Sequence, residues 1–253
     1  MPKLAANISL LFAELPYLDR FDAASEAGFD GVEILFPYEV AARETQRALT
    51  RNALPLVLMN APPPNYTGGV PGYAAIPGGE TRFQHDMRRV LRYAEALRPG
   101  RIHVMAGKTE EAGATETMIA NLQWLADFAP RQAFTIEPLN QHDQPGYALS
   151  DYRLAAEILG AVDRPNVTLQ YDSYHAQVIH GDALTVWETY GHLAGHVQLG
   201  DAPGRCEPGG GTIDFAALFE AIRGSGYDGW MSAEYRPTTA RTDASLDWRA
   251  LLG

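Results

Sequence analysis

Four short stretches share a pattern that can do chemistry. In FTIEPLN (134–140) an apolar, β-branched run leads straight into Glu137 and then a proline. LQYDSYH (169–175) does the same with Asp172, HVQLGDA (196–202) with Gln198, and WMSAEYRP (230–237) with Glu234. A carboxylate ending a buried strand costs on the order of several kcal/mol of desolvation unless something answers its charge. Three anions and an amide oxygen brought together repel one another unless a cation sits between them. Donors that are all oxygen suit Mg2+ or Mn2+ better than zinc. The pattern therefore predicts Glu137, Asp172, Gln198 and Glu234 as ligands of one divalent metal, provided the fold makes them converge.

Convergence requires a frame, and the rest of the chain supplies one. Strand-like runs fall at 4–12, 31–37, 55–62, 101–107, 133–139, 167–173, 196–202 and 229–237. Helical spacing fills 15–28, 80–98, 113–129, 150–162 and 214–223, with Ser150 and Asp151 as N-caps of the fourth and Asp214 preceding the fifth. Strand and helix alternating eight times predict a single (β/α)8 TIM barrel, one domain over residues 1–253. A doubly wound sheet is the rival, but LLFAELPY after the first strand contains no glycine to cradle a phosphate. In a barrel the chemistry gathers at the C-terminal strand ends, where the four residues stand on strands five to eight. Alternation sorts the faces: Thr135 with Glu137, Gln170 with Asp172, His196 with Gln198 and Ser232 with Glu234 point inward, and the bulky apolar residues pack under the helices.

The chain's 253 residues are 46% hydrophobic, enough for a sizeable core. Twenty basic against 31 acidic residues leave a net charge of −11, which argues against nucleic acid as the partner, because backbone binding needs a basic surface. A small anionic substrate remains compatible, held by a few local cations. A single cysteine, Cys206, excludes an internal disulfide framework and fits a reducing cytoplasm. The opening MPKLAANISLLFAELP is too soon interrupted for a signal or membrane span, so a cytoplasmic protein without a membrane partner is expected, and an oligomer is compatible with the sequence. His103 lies in strand four, where an inward face brings it to a substrate. Lys108 sits just past that strand, placed to steer an anion.

The quoted stretches also look like a known family. AANISLLFAELPYLDRFDAASEAGFDGVEILFPY, HVMAG, IEPLNQHDQPGY, LQYDSYHAQ, GHVQLGDAPGRCEPGGGTID and GYDGWMSAEYRP resemble, in order, the blocks of the hydroxypyruvate isomerase family within the xylose isomerase-like barrels. The resemblance implies that Glu137 and Glu234 double as an acid/base pair while they, Asp172 and Gln198 hold the metal. It also implies that His175 and Arg205, with Asp143 as a weaker candidate, contact substrate oxygens. The implied activity is interconversion of hydroxypyruvate and tartronate semialdehyde through an enediolate. Isomerisation of a four-carbon 2-oxo-tetronate is the alternative, ahead of a sugar epimerase, a silent sugar-acid binding protein or an abasic-site endonuclease. One region departs from the family: the Gly/Pro-rich 60–83 segment lacks the charged stretches usual there. We read it as a lid whose composition bears on substrate choice.

Overall fold

The computed structural model describes residues 3–62 and 71–252. Eight parallel strands pair in sequence order and close on themselves. They are β1 (Lys3–Asn7), β2 (Gly31–Ile34), β3 (Leu56–Ala61), β4 (Arg101–Val104), β5 (Ala133–Ile136), β6 (Val167–Asp172), β7 (Ala194–Leu199) and β8 (Trp230–Ala233). Closure comes from β1 against β8, with Leu4 opposite Met231 and Ala6 opposite Ala233. The helices are α1 (Arg20–Glu26), α2 (Ala42–Arg51), α3 (Glu80–Leu97), α4 (Ala114–Phe128), α5 (Tyr152–Val162), α6 (Ser173–His180), α7 (Ala183–Tyr190) and α8 (Phe215–Gly224). The fold is the (β/α)8 barrel that the alternation predicts.

Local chemistry sets the element ends. Asp151, Asp182 and Asp214 accept the N–H groups of Leu154, Thr185 and Ala217, capping α5, α7 and α8 as short acceptor side chains do. β5 stops at Ile136 because Pro138 has no N–H for a ladder. The first strand is shorter than its apolar run. Asn7 takes the N–H of Ser9 on its side chain and those of Leu10 and Leu11 on its carbonyl, turning the chain out of the sheet. The 15–28 stretch likewise becomes helical only from Tyr17, after Pro16, as a 3-10 turn (Tyr17–Asp19) leading into α1. Two further 3-10 turns, Thr242–Ser245 and Asp247–Leu252, close the C-terminal end, where Trp248 packs on Phe219 and Tyr235.

Bulky residues of the strands, including Phe134, Ile136, Leu169, Tyr171, Val197 and Leu199, are fully buried. Their polar neighbours meet one another across the barrel interior. Thr135 Oγ1 donates to Gln170 Oε1 at 2.8 Å, and Gln170 Nε2 donates to Gln198 Oε1 at 2.7 Å. The inward and outward faces are therefore those predicted from alternation. Of the 60–83 loop, residues 63–70, including Gly68-Gly69-Val70, lie outside the described residues. The described part folds back at Gly72, which bridges to Ala106, and at Gly78–Gly79, ahead of α3.

Candidate active site

At the C-terminal mouth each strand contributes a buried polar side chain: Asn7, Glu33, Asn60, His103, Glu137, Asp172, Gln198 and Glu234, in chain order. Glu137 and Glu234 stand one residue beyond their strands, while Asp172 ends β6 and caps α6. Asp172 Oδ1 accepts the N–H groups of Tyr174 at 2.8 Å and His175 at 3.1 Å, which fixes the carboxylate and brings His175 to the mouth. Glu137 Oε2 accepts from Gln170 Nε2 at 2.8 Å.

Arg205 answers much of the negative charge. It comes from the loop after β7, where Asp201 ties the turn. Arg205 Nη2 pairs with Asp172 Oδ2 and lies 2.9 Å from Glu234 Oε1, and its Nε donates to the Glu234 carbonyl at 3.1 Å. Its guanidinium lies over the Tyr174 ring, 5.1 Å from the centroid. These carboxylates hold its proton more tightly than usual despite burial. The compensation is incomplete. Burial, then Asp172 and Glu234, push the Glu137 carboxyl well above the ordinary range. Burial also raises Glu234; Arg205 opposes this, while Glu33 and Asp172 add to it. Buried Glu234 Oε2 has no hydrogen-bond partner among the described residues.

His103 and His175 are neutral donors. Burial holds His103 down to about 3 and His175 down to about 4. His103 Nδ1 lies 3.2 Å from Asn60 Oδ1 and 3.4 Å from Glu137 Oε2, so it carries the proton. His175 Nδ1 accepts the Asn140 backbone N–H at 3.0 Å, which leaves the ring proton on Nε2, 3.9 Å from Glu137 Oε1. Asp143 is held down to about 2. Burial raises it, but hydrogen bonds from His142, Tyr174 and Asn140 prevail. The Asn140 side chain links it to the His175 ring. Lys108 is not part of the cluster. It is half-buried, pairs through its backbone with Tyr147, and has no ion-pair partner among the described residues.

Glu137, Asp172 and His175 each present an atom with ligand chemistry, all within 4.8 Å of one another. The His175 tautomer makes that ring a hydrogen-bond donor into the site, so oxygens remain the donors suited to a cation. An orphaned buried carboxylate oxygen and mutually raised carboxyl groups fit a bound divalent metal. Sequence reading missed Glu33, Asn7, Asn60 and Gln170's bridging role. Glu33 carried a signal, since GVEILF sets a carboxylate inside an apolar strand just as FTIEPLN does.

A parallel barrel with carboxylates gathered at its C-terminal mouth is an enzyme architecture. Residues 21–251 match the family model described as xylose isomerase-like TIM barrel, and the chain belongs to that family. A 2-oxo-tetronate isomerase of Cupriavidus necator is 41% identical over 254 residues, covering 98% of this chain and 97% of its own. The hydroxypyruvate isomerase of Escherichia coli K12 is 37% identical, covering 98% of each. A solved Brucella melitensis structure, described as an AP endonuclease of family 2, superposes with a TM-score of 0.93 at 40% identity, covering 99% of this chain and 98% of its own. Like its curated relatives, the chain is an isomerase.

Proposed function

We propose that this isomerase, one barrel domain working in the cytoplasm, interconverts hydroxypyruvate and tartronate semialdehyde with Glu137 and Glu234 as its acid/base pair. The observation that carries the reading is two deeply buried carboxyl groups, both raised by burial and by neighbouring anions, facing one mouth with Asp172. Raised carboxyls can hold or take a proton near neutral pH, as acid/base exchange requires. A divalent Mg2+ or Mn2+ held by Glu137, Asp172, Gln198 and Glu234 would supply Lewis-acid stabilisation of charge developing on the substrate carbonyl oxygen.

In this scheme one glutamate removes a proton from C3 of hydroxypyruvate, leaving an enediolate, and a carboxylic acid returns a proton to C2. The hydroxyl proton moves from the C3 to the C2 oxygen, so the atoms balance without a redox partner. His175 Nε2–H is aimed to donate to a substrate oxygen. Arg205 offers the substrate carboxylate its Nη1 N–H groups, which the contacts to Asp172 and Glu234 do not use, and His103 holds Glu137 in place. Asp143 fixes the rim through Asn140 and Tyr174. Lys108 contributes steering only.

A second reading, isomerisation of a four-carbon 2-oxo-tetronate, is supported by the 41% identical relative of that name and by the Gly/Pro-rich segment at 60–83. The net charge of −11 disfavours a nucleic-acid substrate, and no helix among the described residues is long and apolar enough to cross a membrane. The test is Glu137→Gln and Glu234→Gln. Each should lower turnover by at least about 100-fold, in the range removed acid/base groups cost, with the fold retained by circular dichroism. Wild-type turnover in either variant would remove that residue from the mechanism.

A further inference from the structure

An amide that presents its oxygen to a cation must have its nitrogen committed elsewhere. The mouth holds such a commitment for Gln198, in a residue the scheme above does not use. Glu33, on β2 across the barrel, has no exposed surface. Its Oε1 accepts from Gln198 Nε2 at 2.5 Å and from Asn7 Nδ2 at 2.8 Å, and its Oε2 lies 2.7 Å from His196 Nε2. A carboxylate can only accept, so the atom of Gln198 that faces it is the nitrogen.

The other end of the amide is constrained as well. Gln198 Oε1 accepts from Gln170 Nε2 at 2.7 Å, and the same nitrogen donates to Glu137 Oε2 at 2.8 Å. Gln170 is itself pinned, because its Oε1 takes the Thr135 hydroxyl at 2.8 Å. An amide oxygen has two lone pairs, so Gln198 Oε1 can accept one contact beyond that from Gln170. The chain Asn7, Glu33, Gln198, Gln170, Glu137 thus spans the barrel with each amide in one orientation.

We propose that Glu33 is a positioning residue that selects the orientation of the Gln198 amide and so turns its oxygen to the metal. The role rests on the reading of Gln198 as a ligand. It belongs to Glu33 rather than to Asn7 or His196, because among the described residues Glu33 is the one acceptor that the Gln198 nitrogen meets. With Gln at position 33, the facing amide can meet Gln198 with either end, and only the Gln170 contact is left to hold the Gln198 orientation.

The test is a double-mutant cycle read by Mn2+ affinity, using isothermal titration calorimetry and the electron paramagnetic resonance signal of free Mn2+. Glu33→Gln should weaken Mn2+ binding about 10-fold or more, the range typical of residues that orient a ligand. In a Gln198→Ala background the same change should cost under about threefold, because the group it orients is gone. Glu33→Asp, which keeps the charge but withdraws the carboxylate, should weaken binding much as Glu33→Gln does and serves if the latter fails to fold. An equal loss in both backgrounds would overturn the proposal, showing that Glu33 acts by charge alone. Retained affinity in Glu33→Asp would overturn it too. Failure of the wild-type protein to bind Mn2+ would instead remove the metal reading, and the proposal with it.

Discussion

Asp201 should control Arg205 without touching it. Its carboxylate accepts four backbone N–H groups. Ala202 at 2.8 Å and Ile213 at 3.0 Å bond Oδ1, and Gly209 at 3.0 Å and Gly211 at 2.9 Å bond Oδ2. These bonds close the 201–213 loop that carries Arg205, whose own backbone is left-handed at φ 57°. In Asp201→Asn one oxygen becomes an NH2 that faces two N–H donors. Two charge-assisted bonds are lost, at about 1.5–3 kcal/mol each, so the closed loop loses about 3–6 kcal/mol. At about 1.4 kcal/mol per decade, the smaller figure opens the loop about 100-fold more often. Hydrogen exchange should accelerate by that factor for the amides of 202–213 while the barrel strands keep their protection. Turnover of hydroxypyruvate should fall at least about tenfold as Arg205 leaves the carboxylates. Gly211→Ala attacks the same closure, because a Cβ there would lie 2.1 Å from the Ala202 carbonyl oxygen. Exchange in the loop within threefold of wild type, with full turnover in Asp201→Asn, would refute the reasoning.

Three further outcomes follow from the same geometry. In metal-stripped protein the raised Glu137 and Glu234 carboxyls make the native state bind more protons than the unfolded chain above the ordinary value of 4.5. Stability should therefore fall as pH rises from about 5 to 8; the melting temperature should show it, and Glu137→Gln or Glu234→Gln should flatten the slope. His175, held down to about 4, and His103, down to about 3, are neutral near pH 7. The pH–rate profile should then show no histidine inflection near pH 6.5 that His175→Gln removes. Arg205→Lys should raise KM about tenfold, since a lysine cannot reproduce the Nε bond to the Glu234 carbonyl together with the contacts to both carboxylates. An unchanged KM would free Arg205 from substrate binding.

The frame was legible because periodicity reports burial. Apolar runs marked all eight strands, and alternation told Glu137 from Ile136 and Gln198 from Val197. The ends were less legible. Asn7 stops β1 by a turn that its apolar neighbours conceal, and Pro16 delays α1. Glu33 escaped notice although GVEILF repeats the pattern of FTIEPLN, because a strand from the first half of the barrel has no sequence proximity to Gln198. Only ring closure brings them within hydrogen-bond distance. The His175 tautomer was likewise out of reach, since it depends on the Asn140 backbone N–H arriving from another loop. Lys108 is the opposite case: a strand-end position suggests a steering role, and the structure adds only its backbone pairing with Tyr147.

The most direct test follows hydroxypyruvate by proton NMR in D2O with chelator-stripped protein, then with Mg2+ or Mn2+ restored. Tartronate semialdehyde should appear only with metal, its C2 hydrogen replaced by deuterium to the extent that the glutamate proton exchanges with solvent, and the reaction should be lost in Glu137→Gln and Glu234→Gln. A metal-loaded wild-type protein that turns over neither hydroxypyruvate nor a 2-oxo-tetronate would contradict the proposed mechanism.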